Sequence, residues 1–235
     1  MMMPTSPFAV LGLGFVLGLR HALDVDHLAA VSTIVSQRRS LWRSSLVGAV
    51  WGLGHTVSLV AVAVAVIGLH TQIPPSVGHL LELGVAVMLV VLGVNLLRSV
   101  LGAQVHLHVH VHGERPHVHP HLHAHDPGDH EHGPGRRRPF FVGLVHGLAG
   151  SAGLMLAVAA TIPSPALALV YVAVFGIGSV GGMAAMSALL GIPALLTSER
   201  FAGADRLLKL GAAAASVGIG LALAWQIGTE AGFLA

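Results

Sequence analysis

Two histidines and two aspartates crowd into seven residues of the stretch Leu19-Arg20-His21-Ala22-Leu23-Asp24-Val25-Asp26-His27-Leu28. Imidazole beside carboxylate is a ligand set for a divalent transition-metal ion. The surroundings give the pattern its weight. Phe8 to Leu19 is wholly apolar, and Leu28 to Val35 is mostly apolar. A helix from Phe8 reaches His21 after roughly 20 Å at about 1.5 Å per residue, well inside a hydrocarbon core of about 30 Å. Ionisable groups at that depth are costly and mark function. At about 100° per residue, His21, Asp24 and His27 share one helix face and Asp26 points elsewhere. Two geometries follow. In a continuous helix, Asp26 acts through a neighbour by orienting an imidazole. In a helix broken near Gly18 to His21, the turn of the backbone brings all four together. The apolar segment, at close to thirty residues, exceeds the ~20 needed to span, which favours the break. His21, Asp24, Asp26 and His27 are read as metal ligands.

A fifth ligand is His55 in Trp51-Gly-Leu-Gly-His-Thr-Val57, where flanking Gly permit close helix contact. His146, Ser151 and Ser179 are read as lining a pathway for the ion. Asn95, Met183 and Met186 are read as packing. A separate concentration of imidazole lies at His106, His108, His110, His112, His117, His119, His121, His123 and His125, followed by His130 and His132. Pro and Gly interrupt this run, and its composition cannot bury a core. It reads as a flexible or disordered loop that buffers, traps or senses metal through neutral imidazoles.

The elements that must position these groups are membrane helices. Of 235 residues, 54% are hydrophobic and 9% are charged, with mean hydropathy +0.79, whereas a soluble domain carries about 25% charged residues. Apolar segments fall at about 8–35, 44–69, 77–101, 140–160, 165–192 and 205–227. They read as about six transmembrane helices of an all-α polytopic membrane protein, since lipid admits helices and strand alternation is missing from these segments. The first apolar run is too long for a signal peptide and has no basic residues before it, so the first span is expected to stay in the mature protein. There is no Cys, hence no thiolate site.

Basic residues give the orientation. Arg38, Arg39 and Arg43 follow the first span, Arg98, Arg115 and Arg136 to Arg138 follow the third, and Arg200, Arg206 and Lys209 follow the fifth. The positive-inside rule places those loops in the cytoplasm and both termini outside. Scattered among spans, they are topology signals and not a nucleic-acid surface.

The halves resemble each other. Gly18-Leu-Arg-His-Ala-Leu23 matches Gly143-Leu-Val-His-Gly-Leu148, Trp51-Gly-Leu-Gly-His55 matches Phe175-Gly-Ile-Gly-Ser179, and Leu80-Leu-Glu-Leu-Gly84 matches Leu207-Leu-Lys-Leu-Gly211, with Gly93 matching Gly220. The offsets stay near one value (18 to 143, 51 to 175, 80 to 207). Three helices per half make the second half enter the membrane from the opposite side, the 3+3 inverted repeat of many secondary transporters, whose sites lie near the midplane between halves. The expected organisation is residues 1–102 as the first repeat, 103–138 as the His-rich cytoplasmic loop and 139–235 as the second repeat. In that alignment Asp24, Asp26 and His27 face Ala149, Ser151 and Ala152, and His55 faces Ser179. The ligand types are therefore concentrated in the first half.

Arg20-His21-Ala22-Leu23-Asp24-Val25-Asp26-His27 resembles the R-H-A-x-D-A-D-H signature of the nickel/cobalt transporter family, whose core is H-x4-D-H. Leu53-Gly54-His55-Thr56-Val57 is similar to that family's second motif, around L-G-H-S. The resemblance covers most of the chain outside 103–138. It implies a secondary metal permease of the cytoplasmic membrane for Ni²⁺, with Co²⁺ as second candidate, the ion being substrate and no cofactor being needed. It maps His21, Asp26 and His27 onto H-x4-D-H, and Asp24 and His55 onto the extended motifs. Larger members carry an acidic motif in a later helix. Gly147 to Leu154, the nearest counterpart, has no carboxylate, which is similar to the shorter, urease-associated branch.

The partners expected are a divalent metal ion and membrane lipid, with no nucleic acid. No protein partner can be read from the chain. A phosphate-binding G-x-x-x-x-G-K-[ST] loop is missing, so the chain itself does not hydrolyse ATP. An enzyme is not expected, because an intramembrane metalloprotease of the His-Glu-x-x-His type lacks its motif here. Uptake is the leading direction, and an exporter of the same ions is the nearest rival. Protonation of imidazole and carboxylate would release metal and offers a means of coupling.

Overall fold

A computed structural model describes residues 6–38, 40–69, 73–102, 105–112, 115–122, 137–148, 153–198 and 202–232. Eight helices and two strands follow in the order α1 (Pro7–His21), α2 (Val25–Val35), α3 (Leu41–Leu69), α4 (Pro75–Leu101), β1 (Val105–His112), β2 (Arg115–Leu122), α5 (Arg137–Gly147), α6 (Gly153–Ala160), α7 (Pro165–Ser198) and α8 (Ala202–Glu230). Four helices, α3, α4, α7 and α8, are each long and apolar enough to cross a bilayer, and α1 with α2 forms a further span bent by 55°. The protein is a multi-pass helical membrane protein. Its long apolar side chains face outward in many places: Phe8, Leu80, Leu207 and Trp225 are all well exposed. That is the surface a lipid-facing helix requires, since lipid tails are as apolar as Leu.

The first apolar segment is broken, as its length suggested. Helix α1 ends at His21, and Asp24 adopts an extended conformation (ψ 145°) before α2 begins. Aspartate is a favoured residue at such a start because its carboxylate can accept from the free amides of the first turn. Here it makes no such bond, and its carboxylate serves His21 instead. Expected and observed spans otherwise agree within a few residues, apart from two differences. Helix α7 runs on past the expected end near 192, through Pro193 to Ser198, with the Thr197 hydroxyl donating to the Pro193 carbonyl. Proline has no N–H for the carbonyl four residues before it, and helices in apolar surroundings tolerate such a gap when neighbouring elements pack around it. The segment expected as one helix over 140–160 is described as α5, ending at Gly147, and α6, resuming at Gly153.

The all-α expectation holds for the apolar segments only. In the His-rich segment, β1 and β2 pair antiparallel, with His106 opposite His121, His108 opposite His119 and His110 opposite His117. Strict alternation of His with Val, Leu or Pro is a period-2 pattern, which suits strands. His123, His125, His130 and His132 lie outside the described residues.

Glycine governs the helix packing. Helices α3 and α7 pack against each other, as do α4 and α8, while α1 lies on α7 and α5 lies on α3. A Cβ at Gly18 (α1) would collide with the Phe175 carbonyl of α7, and one at Gly143 (α5) with the Trp51 carbonyl of α3. A Cβ at Gly178 would meet the Phe15 carbonyl, and one at Gly54 the Phe140 carbonyl. On the other helix pair, a Cβ at Gly93 would lie 2.7 Å from the Ala213 carbonyl oxygen, and one at Gly220 would lie 2.7 Å from that of Ala86. Small residues allow this backbone-to-backbone approach, which is a main source of helix association in lipid.

Candidate metal centre

The break in the first span does what the sequence demanded of it: it points His21, Asp26 and His27 toward α3 and α5. His21 ends α1, and His27 lies in the first turns of α2. His55 reaches them from α3 and His146 from α5. All four imidazoles are buried, the most exposed being His21 at 6%. His27 is the hub. Its ring centroid lies 4.5 Å from that of His21, 5.2 Å from His55 and 4.1 Å from His146. Trp51 and Phe175 wall the cluster, with centroids 5.5 Å from His27 and 5.4 Å from His21.

The carboxylates orient these rings. His21 Nδ1 lies 2.7 Å from Asp24 Oδ2. An ionised carboxylate only accepts, so Nδ1 carries the hydrogen and Nε2 presents its lone pair. That Nε2 is 3.1 Å from His55 Nε2. With metal–nitrogen bonds of about 2.1 Å, two nitrogens on one ion lie about 3.0–3.4 Å apart at ordinary bond angles, so this separation suits a shared cation. Asp26 bridges two further rings, with Oδ1 at 3.0 Å from His27 Nδ1 and Oδ2 at 2.9 Å from His146 Nε2. Oδ1 also accepts from the His27 backbone amide. A carboxylate holding the non-ligating edge of an imidazole is the usual way proteins fix a metal-binding ring.

Among the described residues, two sets of three groups could hold a metal ion. His21, His27 and His55 offer atoms within 4.8 Å of one another, and so do Asp26, His27 and His146. Among the described residues, His27 Nε2, His55 Nδ1, His146 Nδ1 and Trp51 Nε1 are buried without a hydrogen-bond partner. Leaving such atoms unmatched costs about 1–3 kcal/mol each, and three of the four are imidazole nitrogens that could bind a cation.

The remaining expected residues divide. Asp24 touches His21 but stands at the margin, with 47% of its side chain exposed. Ser179 is buried, and its hydroxyl donates to the Gly18 carbonyl. That bond clasps α7 to α1, so Ser179 is placed as a helix tie beside the cluster. Ser151 lies outside the described residues. The strand histidines His106, His108, His110, His112, His117, His119 and His121 are on β1 and β2. His146, read from sequence as a pathway residue, makes direct contact with Asp26. Trp51, four residues before His55 and so on the same helix face, packs against both His27 and His146.

Apolar helices too long to be buried by so small a chain, closed around a nest of imidazoles and carboxylates, define a multi-pass membrane protein with a buried His/Asp cluster that could hold a metal ion. No family model and no solved structure matches the chain. Among curated proteins it is similar to the urease accessory protein UreH of Bacillus sp. (strain TB-90), at 36% identity over 200 residues, covering 82% of this chain and 80% of that one. The chain belongs to the UreH family.

Proposed function

We propose that the protein is a secondary transporter of Ni²⁺, with Co²⁺ as an alternative substrate, and that it works in uptake across the cytoplasmic membrane. The observation that carries this reading is the convergence of His21, His27, His55 and His146 with Asp26 in a buried nest. Groups that are expensive in lipid gather where only a cation would repay their desolvation. The relative's name adds the metal: urease is a nickel enzyme, and a membrane protein accessory to it has an evident task in supplying nickel. Both supports agree with the resemblance of 20–27 and 53–57 to the nickel/cobalt transporter family.

The transport geometry we propose is a 3+3 inverted repeat of six spans, with α5 and α6 together as the fourth. The packing supports it. Gly18 on Phe175 and Gly143 on Trp51 are the same contact under the sequence match of the halves. So are Gly178 on Phe15 and Gly54 on Phe140, and Gly93 on Ala213 and Gly220 on Ala86. Arginine placement then puts both termini outside and 103–138 in the cytoplasm, where its imidazoles would hold arriving metal. His21, Asp24, Asp26, His27 and His55 are the ligand and orienting set, joined by His146. Because the four imidazoles are buried, this is an occluded arrangement, and exchange with either side requires the helices to move.

The test is flux of radioactive nickel into vesicles holding the purified protein in one orientation. Uptake is expected from the wild type, with His21→Ala and His27→Ala each reducing it more than about 100-fold, beyond the usual cost of losing an outer partner. Unchanged flux in either variant would remove the reading.

A further inference from the structure

The cluster holds two sets of three ligands, not one, and they share a single member. His21, His27 and His55 form the first, and Asp26, His27 and His146 the second. The carboxylates are the exposed part of the cluster: Asp24, beside the first set, has 47% of its side chain exposed, and Asp26, within the second, has 22%. The four imidazoles are buried. The first set comes from the first half alone, through α1, α2 and α3. The second joins α2 to the other half through α5.

We propose that the ion occupies two successive positions, handed from the three-imidazole set to the mixed carboxylate–imidazole set across the His27 ring. This rests on the transport reading above and refines it. The chemistry of His27 suits the role. One edge, Nδ1, faces Asp26 at 3.0 Å, while Nε2 is buried with no hydrogen-bond partner among the described residues. A ring with a nitrogen on each of two edges can ligate through Nε2 in the first position and through Nδ1 in the second, the hydrogen residing on whichever nitrogen is not ligating. A neutral imidazole has only one nitrogen free to ligate at a time, so a single chain holds one ion in the two positions. The donor sets also differ: three imidazoles in the first position, two imidazoles and a carboxylate in the second. His146 is thereby a ligand of the second position, contributed by the second half.

Co²⁺ reports donor identity through its visible spectrum, so the test combines Co²⁺ titration of the full-length protein in lipid discs with nickel flux in vesicles. Asn replaces His to retain a polar side chain in the buried nest, and a matching size-exclusion profile screens for folding. His27→Asn should bind Co²⁺ through the His-rich segment alone and serves as the baseline. Above that baseline, wild type is expected to bind one further Co²⁺ per chain. His146→Asn should bind its further Co²⁺ with a three-imidazole spectrum, and His55→Asn with a spectrum that includes carboxylate. Each should bind it about tenfold more weakly and lose far more of its flux than of its affinity, because each retains one position but not the step between them. Two further ions per wild-type chain, identical difference spectra in the two single variants, or loss of all binding above the baseline in either would overturn the proposal. If the wild type moves nickel and His146→Asn does so at the same rate, the second position falls while the permease reading stands. If the wild type neither binds metal above the baseline nor moves it, both fall.

Discussion

The end of α1 and the end of α5 are matched in sequence and in packing, yet they are furnished very differently. At the first, Gly18 packs on α7 and is followed by His21, Asp24, Asp26 and His27. At the second, Gly143 packs on α3 and is followed by His146, with Ala149, Ser151 and Ala152 where the other ligands would stand. The helix frame has been kept in both places, and most of the candidate ligands in only one. Backbone approach in lipid depends on the absence of a side chain, so it tolerates no drift at Gly18 or Gly143. A coordination shell has no such need of symmetry. One ion at the interface requires a few ligands in total, whichever half supplies them, and one carboxylate can serve rings from both halves, as Asp26 does.

The frame side of that comparison should show the larger effect. Adding a methyl at Gly18 drives it into the Phe175 carbonyl, a backbone atom that cannot swing aside, and Gly143→Ala does the same at Trp51. Overpacking of this kind costs about 1–3 kcal/mol. Gly18→Ala and Gly143→Ala should lower the thermal unfolding temperature in detergent by similar amounts. Gly12→Ala should not, since nothing lies within 4 Å of its added Cβ. A large loss at Gly18 with none at Gly143 would show that the two ends are not equivalent as frame.

On the chemical side the expected effect is smaller and falls in one half. Asp24→Asn keeps the shape of the side chain but removes the charge that fixes the hydrogen on His21 Nδ1. An amide can donate as well as accept, so the ring is free to present either nitrogen. Loss of such an orienting partner weakens metal binding by about tenfold, or about 1.4 kcal/mol. Titration of the purified variant with nickel should show that decrease with no change in thermal stability. Unaltered affinity would mean that His21 is held by its packing against Phe175 and not by the carboxylate.

These differences also mark what could be read from the chain alone. Span positions followed from hydropathy, because lipid leaves few alternatives to a helix. The broken first span followed from its length. Uniform helical rotation set Asp26 apart from the other three, and that failed for a definite reason: the extended backbone at Asp24 resets the phase, so α2 presents Asp26 and His27 independently of where α1 left His21. The Asp26–His146 contact joins residues 120 apart. The internal repeat placed His146 at the equivalent of His21, but no local pattern says that equivalent positions meet across an interface. The hairpin was hidden because the His-rich run was judged by composition, while its alternation carried the strand signal.

Ser179 gives the finest test, since it occupies the place of His55 in the second half. If the match extended to function, its hydroxyl would serve the ion. Instead it donates to the Gly18 carbonyl at 3.3 Å, one hydrogen bond between helices whose association already rests on glycine contacts. Such bonds contribute about 0.6 kcal/mol on average in membrane proteins. Ser179→Ala should therefore lower thermal stability slightly and leave nickel flux within about threefold of wild type, the change such a small energy permits. His55→Ala, at the matching place, should lower flux by far more. A Ser179→Ala variant that folded normally but lost flux would return the hydroxyl to the path of the ion. The second half would then contribute a second group to that path, alongside His146.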